Sequence, residues 1–145
     1  MVNFGNLKKL NVPAKGTSKY TLSQLGGDVE PVLILACASE SNKEYFNALL
    51  KQSAKLMQGS KAKQISAGLV KSNRDNDKIL YATHILKGWE HIVDIDENSV
   101  EFNLENSIDF IKALPDWIFD EIREYASNVH NYIEMMDTEG VTKNS

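Results

Sequence analysis

Apolar positions near the start of the chain follow the pattern of a β-hairpin. The continuous apolar run at residues 31–38 predicts a buried strand, and residues 19–22 predict a shorter strand before it. Gly26 and Gly27 lie between the two, where glycine supplies the positive φ angles of a tight turn at no steric cost. The sequence therefore predicts a hairpin over residues 20–38.

Helical spacing follows the hairpin. Ser41 and Glu44 form a capping-box pattern, which predicts a helix that begins there and ends near Gly59. After a polar connection, Ser72 or Asn73 is expected to cap a second helix. Apolar residues recur three or four positions apart in both helices, as one buried face requires. They are Tyr45, Phe46, Leu49, Leu50, Leu56 and Met57 in the first helix and Ile79, Ala82, Ile85, Leu86 and Trp89 in the second.

The end of the chain predicts one more strand and two more helices. Residues 100–102 alternate apolar, polar and apolar side chains, which is the period of a short strand. Asn103 is expected to cap a third helix, and Pro115 to begin a fourth, where its missing N–H costs nothing. The inward positions are Leu104, Ile108, Ile111 and Leu114 in the third helix and Ile118, Ile122, Tyr125 and Val129 in the fourth.

Together these patterns predict one α+β domain that is mainly helical. It has about four helices, an N-terminal β-hairpin and a short strand near residues 100–102. The globular domain is expected to span residues 19–134. Residues 1–18 are polar and contain proline and glycine, so they are expected to form a flexible arm. Residues 135–145 are expected to form a frayed C-terminal tail.

Composition places the chain among folded, soluble proteins. Hydrophobic residues make up 42% of the sequence and charged residues 25%, which suits a globular domain. The single cysteine, Cys37, lies in an apolar run and is expected to be a buried, inert thiol in a reducing compartment. The longest apolar run is too short to span a bilayer, and the N-terminal residues lack an apolar signal segment. We therefore expect a cytosolic protein.

Charge is divided unevenly along the chain. Residues 1–89 contain 13 Lys and Arg against 6 Asp and Glu, a net charge of +7, whereas residues 90–145 contain 3 against 14, a net charge of −11. One interpretation is self-association, or an acidic surface presented to a basic partner. The other is that both sets lie on solvated faces of one domain. Nucleic-acid binding is not expected, because the lysines of residues 51–78 have few aromatic neighbours to stack on bases.

A spaced set of oxygen ligands is the strongest signal for a chemical site. Asp94, Asp96, Asn98 and Glu105 fall at the first, third, fifth and twelfth positions of an EF-hand calcium loop, with helices predicted on both sides. Ser99 replaces the glycine of the sharp turn, and the sequence has no second loop to pair with. A solvent-facing turn is the preferred interpretation, and calcium binding is the alternative.

The sequence matches no catalytic or cofactor-binding pattern. His84, His91 and His130 lack the spacing of metal ligands, although the first two are predicted to share a helix face. Cys37 lacks the electropositive, exposed setting of a nucleophile. The only Gly-Ser-Lys sequence has no upstream glycine at phosphate-loop spacing. We therefore expect a protein that is not an enzyme and that needs no cofactor.

The start of the fourth predicted helix carries the candidate partner-binding residues. Trp117, Ile118 and Phe119 are consecutive, so one helix face cannot bury all three, and at least one is expected to be exposed. Trp117, like Trp89, is interpreted as a core anchor, and Phe119 as the residue available to a partner. Acidic residues follow and keep such a surface soluble. The predicted partner-binding set is Trp117, Phe119, Asp120, Glu121 and Glu124.

Several stretches resemble structural and assembly proteins of tailed bacteriophages. They are Gly88-Trp89-Glu90-His91-Ile92-Val93-Asp94, Val100-Glu101-Phe102-Asn103, Glu105-Asn106, Leu114-Pro115-Asp116 and Ile118-Phe119-Asp120-Glu121-Ile122, together with residues 40–50. The stretches look most like the small tail assembly chaperones, from which the chain departs at Ser99, where related proteins often have glycine. The resemblance implies a mainly helical, non-catalytic protein that binds a tape-measure or tail-tube subunit and oligomerises around it.

The leading functional hypothesis is therefore a tail assembly chaperone in the host cytoplasm. It is expected to be a homo-oligomer that binds tail-tube or tape-measure subunits through its acidic C-terminal helices, with no membrane partner. The alternative is a structural component retained in the virion, either a head-decoration or a minor tail protein. On the chaperone hypothesis, Phe119→Ala weakens capture of the subunit and leaves thermal stability nearly intact, whereas a large loss of stability would mark Phe119 as a core residue.

Overall fold

A computed structural model describes residues 3–9, 14, 16–59 and 67–133. Within these ranges the chain forms a three-stranded antiparallel sheet and five α-helices, which confirms the predicted α+β fold. None of the helices in the described part is both long and apolar enough to cross a membrane. In chain order the elements are α1 (Phe4–Lys9), β1 (Thr17–Thr21), β2 (Val32–Ala36), α2 (Lys43–Gly59), α3 (Ala67–Leu80), β3 (Leu86–Glu90), α4 (Leu104–Ala113) and α5 (Asp116–Ser127).

The predicted hairpin forms two of the three strands. β1 pairs antiparallel with β2, and β2 lies in the centre of the sheet with β3 on its other side. Gly26 and Gly27 in the connecting loop have φ angles of 69° and 98°, the left-handed backbone for which glycine is favoured. Leu33 and Leu35 of β2 are buried, because alternate side chains of a strand face the same side of the sheet. The hairpin prediction is confirmed.

The largest departure from the sequence prediction is β3. Apolar spacing predicts a helix up to Trp89, but α3 ends at Leu80 and a single π-helical turn, Tyr81–Ile85, leads into the strand. Gly88 lies opposite Ile34 of β2, where a Cβ atom would meet the Ile34 side chain at 3.3 Å. Because glycine is a poor helix former and permits this close approach, pairing with β2 outweighs the helical spacing. The helix prediction is wrong for residues 86–90.

Residues 100–102 do not form the predicted strand, although the Val100 N–H donates to the Ile92 carbonyl at 2.9 Å beside an isolated bridge between Val93 and Ser99. Trp89 Nε1 donates a hydrogen bond to the Val100 carbonyl at 2.9 Å, and the Trp89 and Phe102 rings pack edge to face with centroids 4.9 Å apart. Val100 and Phe102 are half-buried while Glu101 is exposed. The alternation of half-buried and exposed side chains is therefore confirmed, although these residues belong to none of the three strands of the sheet.

The first long helix begins one residue later than the capping-box pattern predicts. Asn42 is the residue that caps α2, because its Oδ1 accepts the N–H of Tyr45 at 3.2 Å. The Glu44 side chain contacts His84 Nδ1 at 2.7 Å instead of turning back to the helix start. The capping box with Ser41 is therefore wrong, although the predicted end of this helix at Gly59 is confirmed.

The boundaries of the last two helices follow the local signals in the sequence. Asn103 caps α4 as predicted, since its Oδ1 accepts the N–H of Asn106 at 2.8 Å. Pro115 occupies the capping position, so α5 begins at Asp116, one residue later than predicted. Its ring fixes φ at a helical value and prevents α4 from continuing. The break between the two helices is therefore encoded locally.

Two other predicted boundaries differ from those in the structure, and a third prediction concerns residues that the structure does not describe. α3 begins at Ala67, ahead of the predicted cap at Ser72 or Asn73. Residues 1–18, predicted to be a flexible arm, include α1 and the first residues of β1. The predicted tail at residues 135–145 lies outside the described residues.

One core joins the sheet to the helices. Tyr45 of α2, Tyr81 of the π-helical turn and Phe119 of α5 form a chain of edge-to-face rings, with successive centroids 5.9 and 5.5 Å apart. Burial of apolar side chains from the sheet and from the helices fixes α5 against the rest of the domain. The largest fully buried apolar side chains are Leu22, Leu33, Leu35, Ile85, Ile111, Ile118, Phe119 and Ile122.

Candidate functional site

α5 presents three faces of different chemistry. An inner face packs into the core, an outer face is turned away from it, and a lateral face meets α3. Because helical residues three or four positions apart lie on the same side, each face recurs at this spacing. The inner face is Ile118, Phe119, Ile122 and Ala126, the outer face is Trp117, Glu121 and Glu124, and the lateral face is Asp116, Asp120 and Arg123.

Phe119 belongs to the core and not to a partner-binding surface. Its side chain is 0% exposed and its ring contacts Tyr81. The Arg123 guanidinium and the Lys78 ammonium lie over the ring, 5.0 and 5.7 Å from its centroid. The predicted exposure of Phe119 is wrong, because Phe119 shares the inner face with Ile122, one helical turn further on.

Trp117 is the exposed residue of the apolar run. Its side chain is 56% exposed, so its interpretation as a core anchor is wrong, while the expectation that one residue of the run is exposed is confirmed. Trp89, by contrast, packs against the core as predicted, with Phe102 and Phe110 on its ring. The structure therefore places an exposed indole at the start of α5.

Ion pairs join the lateral face of α5 to α3. Lys78 Nζ lies 2.9 Å from Asp116 Oδ1, and the Arg74 guanidinium lies 3.5 Å from one oxygen of each of Asp116 and Asp120. Asp120, predicted to bind a partner, is thus engaged within the molecule. Partial burial acts to raise its pKa, but hydrogen bonds and charge from Arg123 and Arg74 hold the pKa below its usual value.

Arg123 connects the same face to a second carboxylate of α3. Its Nη1 donates to Asp77 Oδ2 at 3.1 Å, and its Nη2 donates to Asp120. Burial raises the pKa of Asp77, and the hydrogen bond from Arg123 opposes that shift. Arg123 therefore neutralises a carboxylate that the helix packing has partly removed from water.

The two glutamates of the outer face have different surroundings. The Glu121 carboxylate accepts a hydrogen bond from the Gln24 amide of the hairpin loop, and the same amide donates to the Tyr20 hydroxyl at 2.7 Å. The Glu124 carboxylate is exposed and has no hydrogen bond or ion pair with any other described side chain. The exposed part of this face therefore combines an indole with negative charge.

Ion pairs made by α3 and β1 bring basic residues of the first part of the chain against acidic residues of the second part. Basic Arg74 and Lys78 contact acidic residues of α5, and Lys19 Nζ lies 3.0 Å from Glu90. The basic and acidic parts of the sequence thus meet within one molecule. Self-association and a basic partner both stay predictions.

The calcium candidates lie in an exposed turn. Asp94 Oδ1 accepts the backbone N–H groups of Asp96 and Asn98 at 2.8 and 3.0 Å, so the turn's own amides occupy this oxygen. β3 precedes the turn, which makes the predicted flanking helix wrong on that side, and Glu105 lies in the first turn of α4. The described residues contain no group of three or more His, Cys, Asp or Glu that could hold a metal ion.

His84 is paired with a carboxylate, and Cys37 is buried. His84 Nδ1 lies 2.7 Å from Glu44 Oε1, a partner 40 positions away for which the sequence carries no local signal. His91 lies beyond β3, so the predicted shared helix face of the two histidines is wrong. Cys37 is buried as predicted, and burial raises the pKa of its thiol.

The sequence interpretation missed one site formed by three helices. A cavity of about 370 Å³ lies between α2, α3 and α5, and both Arg74 and Arg123 line it. We call it the arginine cavity. The signal for this site in the sequence is its composition, because Arg74 and Arg123 are the only arginines in the chain.

Comparison with protein families gives the origin of the chain. A family described as YdaY prophage protein matches residues 40–143, which include α2 to α5 and the exposed turn. The chain belongs to this prophage family. The phage origin implied by the sequence resemblance is therefore confirmed. Comparison with curated proteins and with solved structures finds no match.

Proposed function

We propose that this YdaY-family prophage protein is a non-enzymatic tail assembly chaperone. It binds tail-tube or tape-measure subunits in the host cytoplasm through the outer face of α5. Membership of a prophage family supports a role in the phage life cycle. The resemblance of residues 88–122 to tail assembly chaperones supports the specific step.

The observation that carries the proposal is the exposed indole of Trp117. It is 56% exposed at the start of a helix whose neighbouring side chains are fixed by the core. An exposed aromatic side chain on a rigid element buries a large area on binding and loses little conformational entropy. Glu121 and Glu124 follow it on the same helix face and add negative charge, which keeps an apolar binding surface soluble before the subunit arrives.

Two observations support the non-enzymatic part of the proposal. The Cys37 thiol is buried with a raised pKa, so little of it is the reactive thiolate at neutral pH. His84 is paired with Glu44 at the surface and has no nucleophilic side chain among its hydrogen-bond partners in the described ranges. Neither residue is therefore arranged as a catalytic pair.

Mass spectrometry of mature particles from the producing prophage tests the proposal. A chaperone is expected in the induced-cell lysate and absent from purified particles. Stoichiometric presence in particles would replace the proposal with a virion structural component, and the copy number would distinguish head decoration from a minor tail protein.

Co-purification with tail-tube and tape-measure subunits tests the binding face. Trp117→Ala is expected to weaken capture by about thirtyfold, the factor for a 2 kcal/mol hot spot. Leu104→Ala is the matched control, because Leu104 is also apolar, 55% exposed and at the start of a helix. Equal loss of capture in both variants, or no loss in Trp117→Ala, would remove the outer face of α5 from the proposal.

A further inference from the structure

The arginine cavity has the size and lining of a small-molecule site. Its volume of about 370 Å³ lies in the range of pockets that hold small organic ligands and exceeds the space of a single ion. Leu49 contributes an apolar wall. The polar side chains that line it are Gln52, Ser53, Asn73, Arg74, Asp77 and Arg123.

Arginine is used in this chain only at this cavity. Of the 16 basic residues, Arg74 and Arg123 are the only arginines, and both line the cavity. A guanidinium group presents several N–H donors in a fixed plane, which lysine cannot do, and this plane matches carboxylate and phosphate oxygens. The side-chain chemistry at the cavity is therefore distinct from that of every other basic position.

The hydrogen bonds of the two guanidinium groups are incomplete. Their terminal nitrogens contact the carboxylates of Asp77, Asp116 and Asp120. The Nε atoms of Arg74 and Arg123 are buried and have no acceptor among the described groups. A buried donor without an acceptor is unfavourable, so both arginines retain unused hydrogen-bonding capacity.

Arg74 has the longer carboxylate contacts of the two arginines. Both of its carboxylate contacts measure 3.5 Å, at the outer limit of a hydrogen bond, whereas Arg123 donates to Asp77 at 3.1 Å. Its Nε is covered by protein atoms, so a ligand must rotate this guanidinium to reach it. Short hydrogen bonds from this guanidinium to a ligand would offset the loss of its two long carboxylate contacts.

We propose that the arginine cavity binds a small organic oxyanion, whose carboxylate or phosphate oxygens accept hydrogen bonds from Arg74, with the positive charge of Arg123 beside them. Gln52, Ser53 and Asn73 contribute neutral polar groups around the same ligand. Within the ion pairs of the described residues around the two guanidinium groups the charges balance, so a ligand with few negative charges is favoured. The balanced set is Asp77, Asp116 and Asp120 against Arg74, Lys78 and Arg123. This site is independent of the outer face of α5.

Nuclear magnetic resonance of the arginine Nε–Hε groups tests the proposal directly. The native chain contains two such groups, and the Arg74→Lys variant assigns them by leaving only that of Arg123. Sodium phosphate and sodium acetate are titrated separately, with sodium chloride at matched ionic strength as the control. Saturable shifts of both signals with phosphate or acetate, but not with chloride, are expected, and the stronger response identifies the oxyanion. Shifts that follow ionic strength alone would overturn the proposal.

Arg74→Lys also tests the role of the guanidinium. This variant keeps the positive charge and removes the planar donor set, so the dissociation constant of the better probe is expected to rise about tenfold or more. Lys112→Gln, which removes one exposed charge from α4, is the control and is expected to bind as the native protein does. Unchanged affinity in Arg74→Lys, with the Arg123 signal still shifting, would show that the cavity does not use Arg74 as proposed.

Discussion

The inner and outer faces of α5 carry aromatic residues two positions apart, with opposite environments. Phe119 is completely buried beneath Arg123 and Lys78, whereas Trp117 is more than half exposed. The difference follows from the residues one turn further on, which are Ile122 beside Phe119 and Glu121 beside Trp117. On a helix, the surrounding periodic pattern decides burial, and the hydrophobicity of the single residue does not.

The lateral face separates these two environments. Its carboxylates and Arg123 form ion pairs with α3 at the edge of the core, where water still reaches part of each side chain. Exposed pairs of this kind contribute little stability, whereas a partly buried pair resists the loss of one partner. The three faces are therefore expected to differ in their contribution to the free energy of unfolding.

The largest effect is expected on the inner face. Phe119→Ala leaves a cavity among Tyr81, Ile122 and the covering cations, and is expected to lower the free energy of unfolding by about 3–5 kcal/mol. Urea denaturation followed by circular dichroism measures the change. A loss below about 1 kcal/mol would contradict the assignment of Phe119 to the core.

An intermediate effect is expected on the lateral face. Arg123→Met removes the partner of partly buried Asp77 and is expected to cost about 1–3 kcal/mol at neutral pH. Asp77→Asn in the same background is expected to recover part of the loss, because the remaining buried charge is removed. Full additivity of the two substitutions in denaturation experiments would contradict the coupling.

The stability lost in the Arg123→Met variant is expected to depend on pH, and the direction of this dependence follows from Asp77. Burial already raises the pKa of Asp77, and loss of Arg123 removes the interactions that oppose this shift. The penalty for the ionised carboxylate is therefore present above its folded-state pKa and disappears as pH falls through it. The difference in stability between Arg123→Met and the native protein is expected to shrink on acidification, and a constant difference would contradict this account.

The smallest effect on stability is expected on the outer face. Trp117→Ala is expected to change the free energy of unfolding by less than about 0.5 kcal/mol, as is usual for exposed positions. Thermal unfolding of this variant beside Phe119→Ala compares the two faces directly. Similar losses in both variants would show that the exposed indole also stabilises the fold.

Elements defined by neighbouring residues were predictable from the sequence. The hairpin follows from an apolar run and two turn glycines, and the α4 cap follows from Asn103. β3 was not predictable in this way, because its apolar residues also fit a helical stripe and only pairing with β2 selects the strand. The His84–Glu44 contact likewise joins positions 40 apart in the chain.

The features of the candidate surfaces also fall into two groups, those that local sequence determines and those that require tertiary contacts. The sequence alone determined the α+β class, the break at Pro115 and the exposure of one residue in the run from Trp117 to Phe119, since these depend on local geometry and helical period. Only the tertiary structure decided that Lys78 of α3 and Arg123 together cover the ring of Phe119. It also decided that the two arginines meet at one cavity, because packing between α2, α3 and α5 joins residues that are distant in the sequence.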